Sequence, residues 1–211
     1  MTRNLIATQI RTIADKVCRE NYGLLANEPQ LTSRIGQALE LEIERYNTLG
    51  YQVEVVTQDI PDRSAKSLES KIGADLYIGV SVSNGITSQS KGLLVQAKWD
   101  GPSFSSSSKL DAQRRKMLAR SEASYVWVYG REGVQSISAN RLPPSGHKRQ
   151  MALSDLGTLF SNVLACTNGD PNIGLPPNLI GVGDKRLVRE ALDTMLRQIG
   201  TNQGVAVLVH R

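Results

Sequence analysis

Gly73-Ala74-Asp75-Leu76-Tyr77-Ile78-Gly79-Val80-Ser81-Val82 and, after a turn region, Gly92-Leu93-Leu94-Val95-Gln96-Ala97-Lys98-Trp99 are the stretches on which the fold turns. Leu76 to Val82 and Leu93 to Trp99 are short runs rich in Leu, Ile and Val, which predicts two strands. Between them, Ser83 to Lys91 holds Asn84-Gly85 and predicts a turn region. The two strands are expected to pair as an antiparallel hairpin whose loop is longer than a tight two-residue turn. If Val82 pairs near Gly92, Asp75 falls about level with Lys98. Residues two apart on a strand share a face, so Gln96 and Lys98 point one way and Ala97 the other. An acid, an amide and an ammonium then converge at one end of the hairpin.

That trio has a chemical use. Cleaving a phosphodiester places extra negative charge on the phosphorane oxygens and on the leaving oxygen. A divalent cation held by hard oxygen ligands stabilises that charge and lowers the pKa of a bound water. In this scheme Asp75 is the main ligand, and the Gln96 side-chain carbonyl and the Ala97 backbone carbonyl are further ligands. Lys98 orients the attacking water or offsets charge on the phosphate. Spacing alone leaves the ordinary alternative open, in which these are solvent-facing residues at strand ends. A lysine inside an otherwise apolar strand is the less ordinary feature, because burying it needs compensation.

Outward from the hairpin, the pattern alternates between helix and strand. Ile6, Ile10, Ile13 and Val17 predict a helix over about Asn4 to Arg19. A second helix opens near Pro29, where a missing N–H is harmless, and its stripe runs through Leu31, Ile35, Leu39, Ile43 and Tyr46 to a stop at Gly50. Tyr51 to Thr57 alternates as a strand, and Gln58 to Lys71 is a polar loop. Ser103 to Ser108 is expected to be a flexible serine-rich linker. A short helix follows over about Leu110 to Ser121, then strands at Ser124 to Tyr129 and Val134 to Ala139. Arg141 to Gln150 is a loop, Leu153 to Ala165 a helix, and Thr167 to Gly183 an irregular stretch rich in Gly, Pro and Asn. Leu187 to Ile199 and Val205 to Val209 close the chain as helix and strand. No internal repeat and no dividing linker is visible, so one mixed α/β domain is expected.

Composition sets bounds on function. The chain has 211 residues and 21% charged residues, ordinary for one globular domain. No apolar run reaches the length of a membrane span, and the N-terminus lacks a secretory apolar stretch, so a cytoplasmic location is expected. Cys18 and Cys166 are expected to be two buried thiols rather than a disulfide or a reactive site. His147 and His210 have no partner at metal-ligand spacing, which disfavours a zinc site and a Ser-His or Cys-His catalytic pair. The net charge of +5 and pI of about 9.3 weakly favour a polyanionic partner. Lys109, Arg114, Arg115, Lys116 and Arg120 cluster in one segment. Arg141, Lys148 and Arg149 follow, then Lys185, Arg186, Arg189 and Arg197. These are either solvated helix faces or, together, a surface that tracks phosphates. Glu40, Glu42 and Glu44 read as a solvated helix face. Asp59, Asp62 and Glu69 read as loop acids. Trp99 and Tyr129 read as packing residues rather than base-stacking platforms.

Asp75 followed by Gln96-Ala97-Lys98 resembles the PD-(D/E)XK nuclease superfamily, in which an Asp and a (D/E)-X-K tripeptide share a central hairpin. The order helix, three strands, helix, strand resembles that family's αβββαβ core. The resemblance implies a restriction endonuclease-like α/β fold with a mixed central sheet flanked by helices. It covers about residues 28 to 139 of a single domain spanning 1 to 211, with a C-terminal elaboration over about 150 to 211. Glu28, at the start of the second helix, resembles the acid that completes the family's metal site. Gln113, on the helix after the tripeptide, resembles a polar residue that faces the site in related nucleases. Two departures stand out. Ala74 replaces the Pro before the Asp, which is often absent, and Gln96 replaces the usual acid. Some active relatives carry a Q-X-K tripeptide, and the lost charge makes Glu28 the second charged ligand.

The resemblance implies a Mg²⁺-dependent endonuclease, with Mn²⁺ as a possible substitute. The implied substrate is double-stranded DNA and the implied setting defence against foreign DNA. The catalytic set is Glu28, Asp75, Gln96, Lys98 and Gln113, and the metal set Glu28, Asp75, Gln96 and Ala97. The basic cluster from Lys109 to Arg120 would hold the backbone, and a homodimer would reach both strands. The competing expectations are a catalytically inactive nucleic-acid-binding protein, or an interaction subunit, on the same fold.

Overall fold

The computed structural model describes residues 2–43, 50–60, 72–105, 108–143, 151–179 and 183–211. Two helices open the chain, α1 (Thr2–Asn21) and α2 (Glu28–Ile43). Next come β1 (Gln52–Asp59), β2 (Leu76–Ser83) and β3 (Ser88–Trp99). A one-turn helix α3 (Pro102–Ser105) and the longer α4 (Ser108–Arg120) lead to β4 (Ser124–Gly130) and β5 (Gly133–Ser138). A short β6 (Ser154–Asp155) runs into α5 (Leu156–Leu164), and α6 (Lys185–Ile199) precedes β7 (Gln203–His210).

Among the described residues the strands form one mixed sheet in the order β1-β7-β2-β3-β4-β5-β6. β2 is antiparallel to β3, β3 is parallel to β4, and β4 is antiparallel to β5. β7 is inserted between β1 and β2, antiparallel to the first and parallel to the second. β7 therefore belongs to the same hydrogen-bonded sheet as β1 to β5.

Alternation along the strands sends side chains to two apolar layers. On one face, Leu76, Ile78, Leu93, Val95 and Ala97 pack with α1, α2 and α5 through Ile10, Leu31, Ile35 and Phe160. On the other, Tyr77 and Leu94 pack with α4 and α6 through Leu110, Met117, Val188, Leu192 and Leu196. The central strands are covered on both sides, which is why β2 and β3 read as apolar runs rather than alternating patterns. Local signals set the helix ends. Asp155 caps α5 by accepting from the Thr158 N–H at 2.9 Å, and Asp184 caps α6 by accepting from the Arg186 N–H at 2.9 Å. Gly200 ends α6 in the left-handed region at φ 91°.

Several expectations change. The hairpin turn is tighter than the sequence indicates. β3 begins at Ser88, and Asn84 Oδ1 accepts from the Ile86 and Thr87 N–H groups at 3.0 and 2.8 Å. The register is accordingly Val82 opposite Gln89, not Gly92. The serine-rich stretch contributes α3 and the start of α4 rather than a flexible linker; residues 106–107 lie outside the described residues.

Glu40, expected on a solvated face, is half-buried. Its Oε2 accepts from the Thr57 N–H at 2.9 Å and the Thr57 hydroxyl at 2.6 Å, while Oε1 meets Arg189 and lies 3.8 Å from Lys185 Nζ. The carboxylate thus reaches around β1, the edge strand, and joins α2 to α6. It occupies an edge N–H that would otherwise be open to another strand. Glu44 lies outside the described residues, as do Asp62, Glu69, His147, Lys148 and Arg149.

Both cysteines are free thiols; Cys18 is buried as expected, but Cys166, just past the end of α5, is only half-buried. The Cys18 thiol lies 3.4 Å from the Gly130 and Gly133 carbonyl oxygens, and burial pushes its pKa up from 9.0 to about 11. A raised pKa means the folded state holds the proton more tightly. The resulting stability is intact below pH 9 and is lost as pH rises toward 11. Thiol labelling of the native protein at pH 8 should therefore modify Cys166 and spare Cys18 until denaturant is added.

Candidate functional site

The site is built where β2 begins. Asp75 stands one residue before β2, and its N–H donates to the Val95 carbonyl at 2.9 Å. Val95 is already the register partner of Leu76. The pairing thus slips by one residue here, as at a β-bulge, and two β3 groups turn toward the Asp75 side chain. The Ala97 N–H donates to Asp75 Oδ2 at 3.0 Å, and the Gln96 Nε2 donates to the same oxygen. Asp75 therefore stands level with Gln96 rather than Lys98. Asp75 is 8% exposed and Gln96 is fully buried at 0%.

Gln96 is the least ordinary residue of the group. Its NH₂ is shared between Asp75 and the Ala97 carbonyl, the latter at 3.2 Å. Its carbonyl oxygen Oε1 is buried with no hydrogen-bond partner among the described residues. An unsatisfied buried acceptor costs about 1–3 kcal/mol. Sequence reasoning assigned this oxygen to a cation; in this structure the nitrogen, not the oxygen, meets the acid. Lys98 is half-buried and, two residues on, lies on the same face as Gln96.

Glu28 reaches the same end of β3 from the other layer. It is the first residue of α2, and its Oε1 lies 3.4 Å from the Trp99 N–H, next to Lys98. One turn along α2, Thr32 shares a 2.7 Å hydrogen bond with the Tyr129 hydroxyl, and its own hydroxyl lies 2.9 Å from the Glu28 carbonyl. Burial pushes the Tyr129 phenol well above its ordinary pKa; Thr32 offsets part of this, and the charges of Asp75, Cys18 and Glu28 add to it. Tyr129 is fully buried in the core, as the packing reading of the sequence expects. Its sequence signal is a tyrosine in an apolar strand, where a buried hydroxyl needs a partner. Trp99 packs edge-on against Tyr22 and Tyr129, with ring centroids at 5.8 and 5.7 Å.

α4 closes the site on the Gln96 face. Gly73, at φ 74°, lies so near this helix that a Cβ there would be 2.5 Å from the Gln113 carbonyl oxygen and 2.7 Å from its Cα. Gln113 is thereby held beside the segment that carries Asp75. Its side-chain Oε1 is a second buried acceptor with no partner among the described residues. On the outer side of α4, Lys109, Arg115, Lys116 and Arg120 are exposed. Arg114 is half-buried and donates from Nε to the Ala139 carbonyl at 2.6 Å, so one of its donors holds α4 to the turn after β5.

The C-terminal cations are engaged within the chain. Lys185 and Arg189 meet Glu40, Arg186 lies 3.8 Å from Asp184, and Arg197 is 2.7 Å from Asp193.

The donor set suits a hard divalent cation in kind. It offers two carboxylates, from Asp75 and Glu28, and an amide oxygen without a partner at Gln96. No group of three or more His, Cys, Asp or Glu side chains gathers as a metal site among the described residues, so the amide and backbone oxygens would carry part of the ligation. No helix of the described residues is long and apolar enough to cross a membrane. No family model, no curated protein and no solved structure matches this chain.

Proposed function

We propose that this chain is a divalent-cation-dependent nuclease on a restriction endonuclease-like core, hydrolysing phosphodiester bonds of double-stranded DNA. The observation that carries the reading is the meeting of Asp75 and Gln96 on adjacent strands, with Lys98 two residues on along β3 and Glu28 brought by α2 to the Trp99 N–H at the same end of that strand. The chain order α2, β1, β2, β3, α4, β4 supports it, since it follows αβββαβ with α3 as a one-turn addition. The insertion of β7 between β1 and β2 is a departure from sequential strand order.

Asp75 and Glu28, with the Gln96 side-chain oxygen and the Ala97 carbonyl, would hold Mg²⁺ or Mn²⁺. When bound, the cation supplies charge stabilisation at the phosphate and a water of lowered pKa. Lys98 donates toward the attacking water or a phosphate oxygen from the face it shares with Gln96. Gln113 offers its amide to the substrate from α4. Lys109, Arg115, Lys116 and Arg120, with the free end of Arg114, follow the nucleic-acid backbone. Two copies would place a site on each strand of a duplex, so a homodimer completes the proposal. Defence against foreign DNA is the setting that this activity suits.

A second reading, a nucleic-acid-binding protein without catalysis, draws on one specific feature. The Gln96 NH₂ already compensates the Asp75 charge without a cation. Incubating purified protein with supercoiled plasmid in Mg²⁺, in Mn²⁺ and in chelator separates the readings. Nicked or linear product only with cation is expected; intact plasmid in every lane removes the nuclease proposal. Binding is tested independently. Arg115→Ala with Lys116→Ala should weaken duplex binding at all sequences alike and lower the salt slope by about 2. An unchanged slope returns both side chains to an ordinary solvated face.

A further inference from the structure

We infer that Gln96 is an internal counter-ion mimic for Asp75, and that cation binding requires its carboxamide to invert. The inference rests on the proposed cation site and concerns how that site is kept without a cation.

The argument starts from a charge balance. Asp75 is nearly buried, and an acid there needs donors. Two of its donors, the Ala97 N–H and the Gln96 NH₂, converge on a single oxygen. The amide has only one other polar atom, and the same arrangement leaves that atom, Oε1, buried and without a partner. Turning the amide by half a rotation would bring Oε1 against the carboxylate, which repels it, and would also forfeit the contact of Nε2 with the Ala97 carbonyl. The present orientation is therefore held by the Asp75 charge, at the expense of one stranded acceptor.

A cation beside Asp75 reverses the electrostatic preference, although inversion still gives up the Nε2 contact with the Ala97 carbonyl. Its charge repels the NH₂ dipole and attracts Oε1, and the stranded acceptor gains a partner. Inversion moves no backbone and little volume, so it is open to a fully buried side chain. The consequence is a site that holds itself together without metal and takes up cation weakly, because the inversion opposes binding. A glutamate at position 96 has no NH₂ to hold Asp75. It would leave two acids facing each other without metal and a stronger ligand set with it.

The readout is the side-chain NH₂ pair of Gln96 in ¹⁵N–¹H spectra of the intact chain, assigned by its disappearance in Gln96→Leu. In chelator this pair should exchange slowly with solvent, as a buried donor to a carboxylate does. Titration with Mg²⁺ should move both resonances and abolish the protection, and Mn²⁺ should broaden the Ala97 amide signal. By calorimetry, Gln96→Glu should raise Mg²⁺ affinity by roughly tenfold or more, since ligand charge count tunes such sites. If Mn²⁺ broadens Ala97 while the Gln96 NH₂ pair keeps its position and protection under Mg²⁺, the inference is wrong, and a plasmid-cutting protein would then still stand as a nuclease. If the NH₂ pair inverts on cation binding but plasmid stays intact, the inference stands and the nuclease proposal falls. Absence of any cation response at Asp75, Gln96 or Ala97 overturns the inference outright.

Discussion

Asp75→Ala should reduce plasmid cleavage by about 10³-fold or more, to the background of the buffer. The residue supplies the carboxylate on which the Gln96 NH₂ and the Ala97 N–H converge, and removing it leaves the Ala97 N–H without its acceptor and the Gln96 NH₂ with the Ala97 carbonyl alone. Some destabilisation is expected, because a buried donor left unpaired costs about 1–3 kcal/mol. The sheet itself should persist, since the Asp75 N–H to Val95 bond is made by backbone. Circular dichroism and thermal melting distinguish lost chemistry from lost fold. Lys98→Ala provides the contrast. Lysine is not a ligand, so this variant should bind cation as the wild type does and lose rate. A Lys98→Ala protein with wild-type rate would confine Lys98 to packing.

The second large effect is on stability. Gly73→Ala should lower the unfolding free energy by about 2–4 kcal/mol. Two independent causes act together. The φ of 74° disfavours any residue with a Cβ, and that Cβ would meet the Gln113 backbone, which cannot move without displacing α4. Because α4 also carries Gln113 and the basic surface, the same variant should weaken both cleavage and duplex binding at temperatures where it remains folded. Gly101, whose added Cβ would meet nothing within 4 Å, is the control for φ alone at 97°. Equal melting temperatures for Gly73→Ala and Gly101→Ala would show that close packing of α4 contributes nothing.

The parts of the molecule legible in the sequence are those governed by neighbours along the chain. The apolar stripe of Ile6, Ile10, Ile13 and Val17 is a helix, and the runs from Leu76 and from Leu93 are strands, because burial of one face or two leaves its period in the sequence. That Asp75 and Gln96 lie on one hairpin follows from the same local logic. The register did not. Ser88, Gln89 and Ser90 carry no apolar signal, yet they extend β3 backward, since that end of the hairpin is exposed and its pairing rests on backbone bonds.

Long-range placement was equally silent. Val205 to Val209 reads as a strand, but nothing local says that it enters the sheet between β1 and β2. Glu40 looks like one more solvated acid until β1 and α6 are brought beside it. At the site, the residue types were visible but the polarity of the Gln96 amide was not. Which end faces Asp75 depends on the slip in pairing at Val95, a feature of the assembled sheet.

The measurement that bears most directly on the nuclease assignment is single-turnover cleavage of an end-labelled duplex against Mg²⁺ concentration, with wild type and Asp75→Ala prepared in parallel. The expected result is a rate for wild type that is absent in chelator, rises and saturates with Mg²⁺, and is missing from Asp75→Ala at every concentration. Cleavage by Asp75→Ala at the wild-type rate, or wild-type cleavage indifferent to chelator, would contradict it.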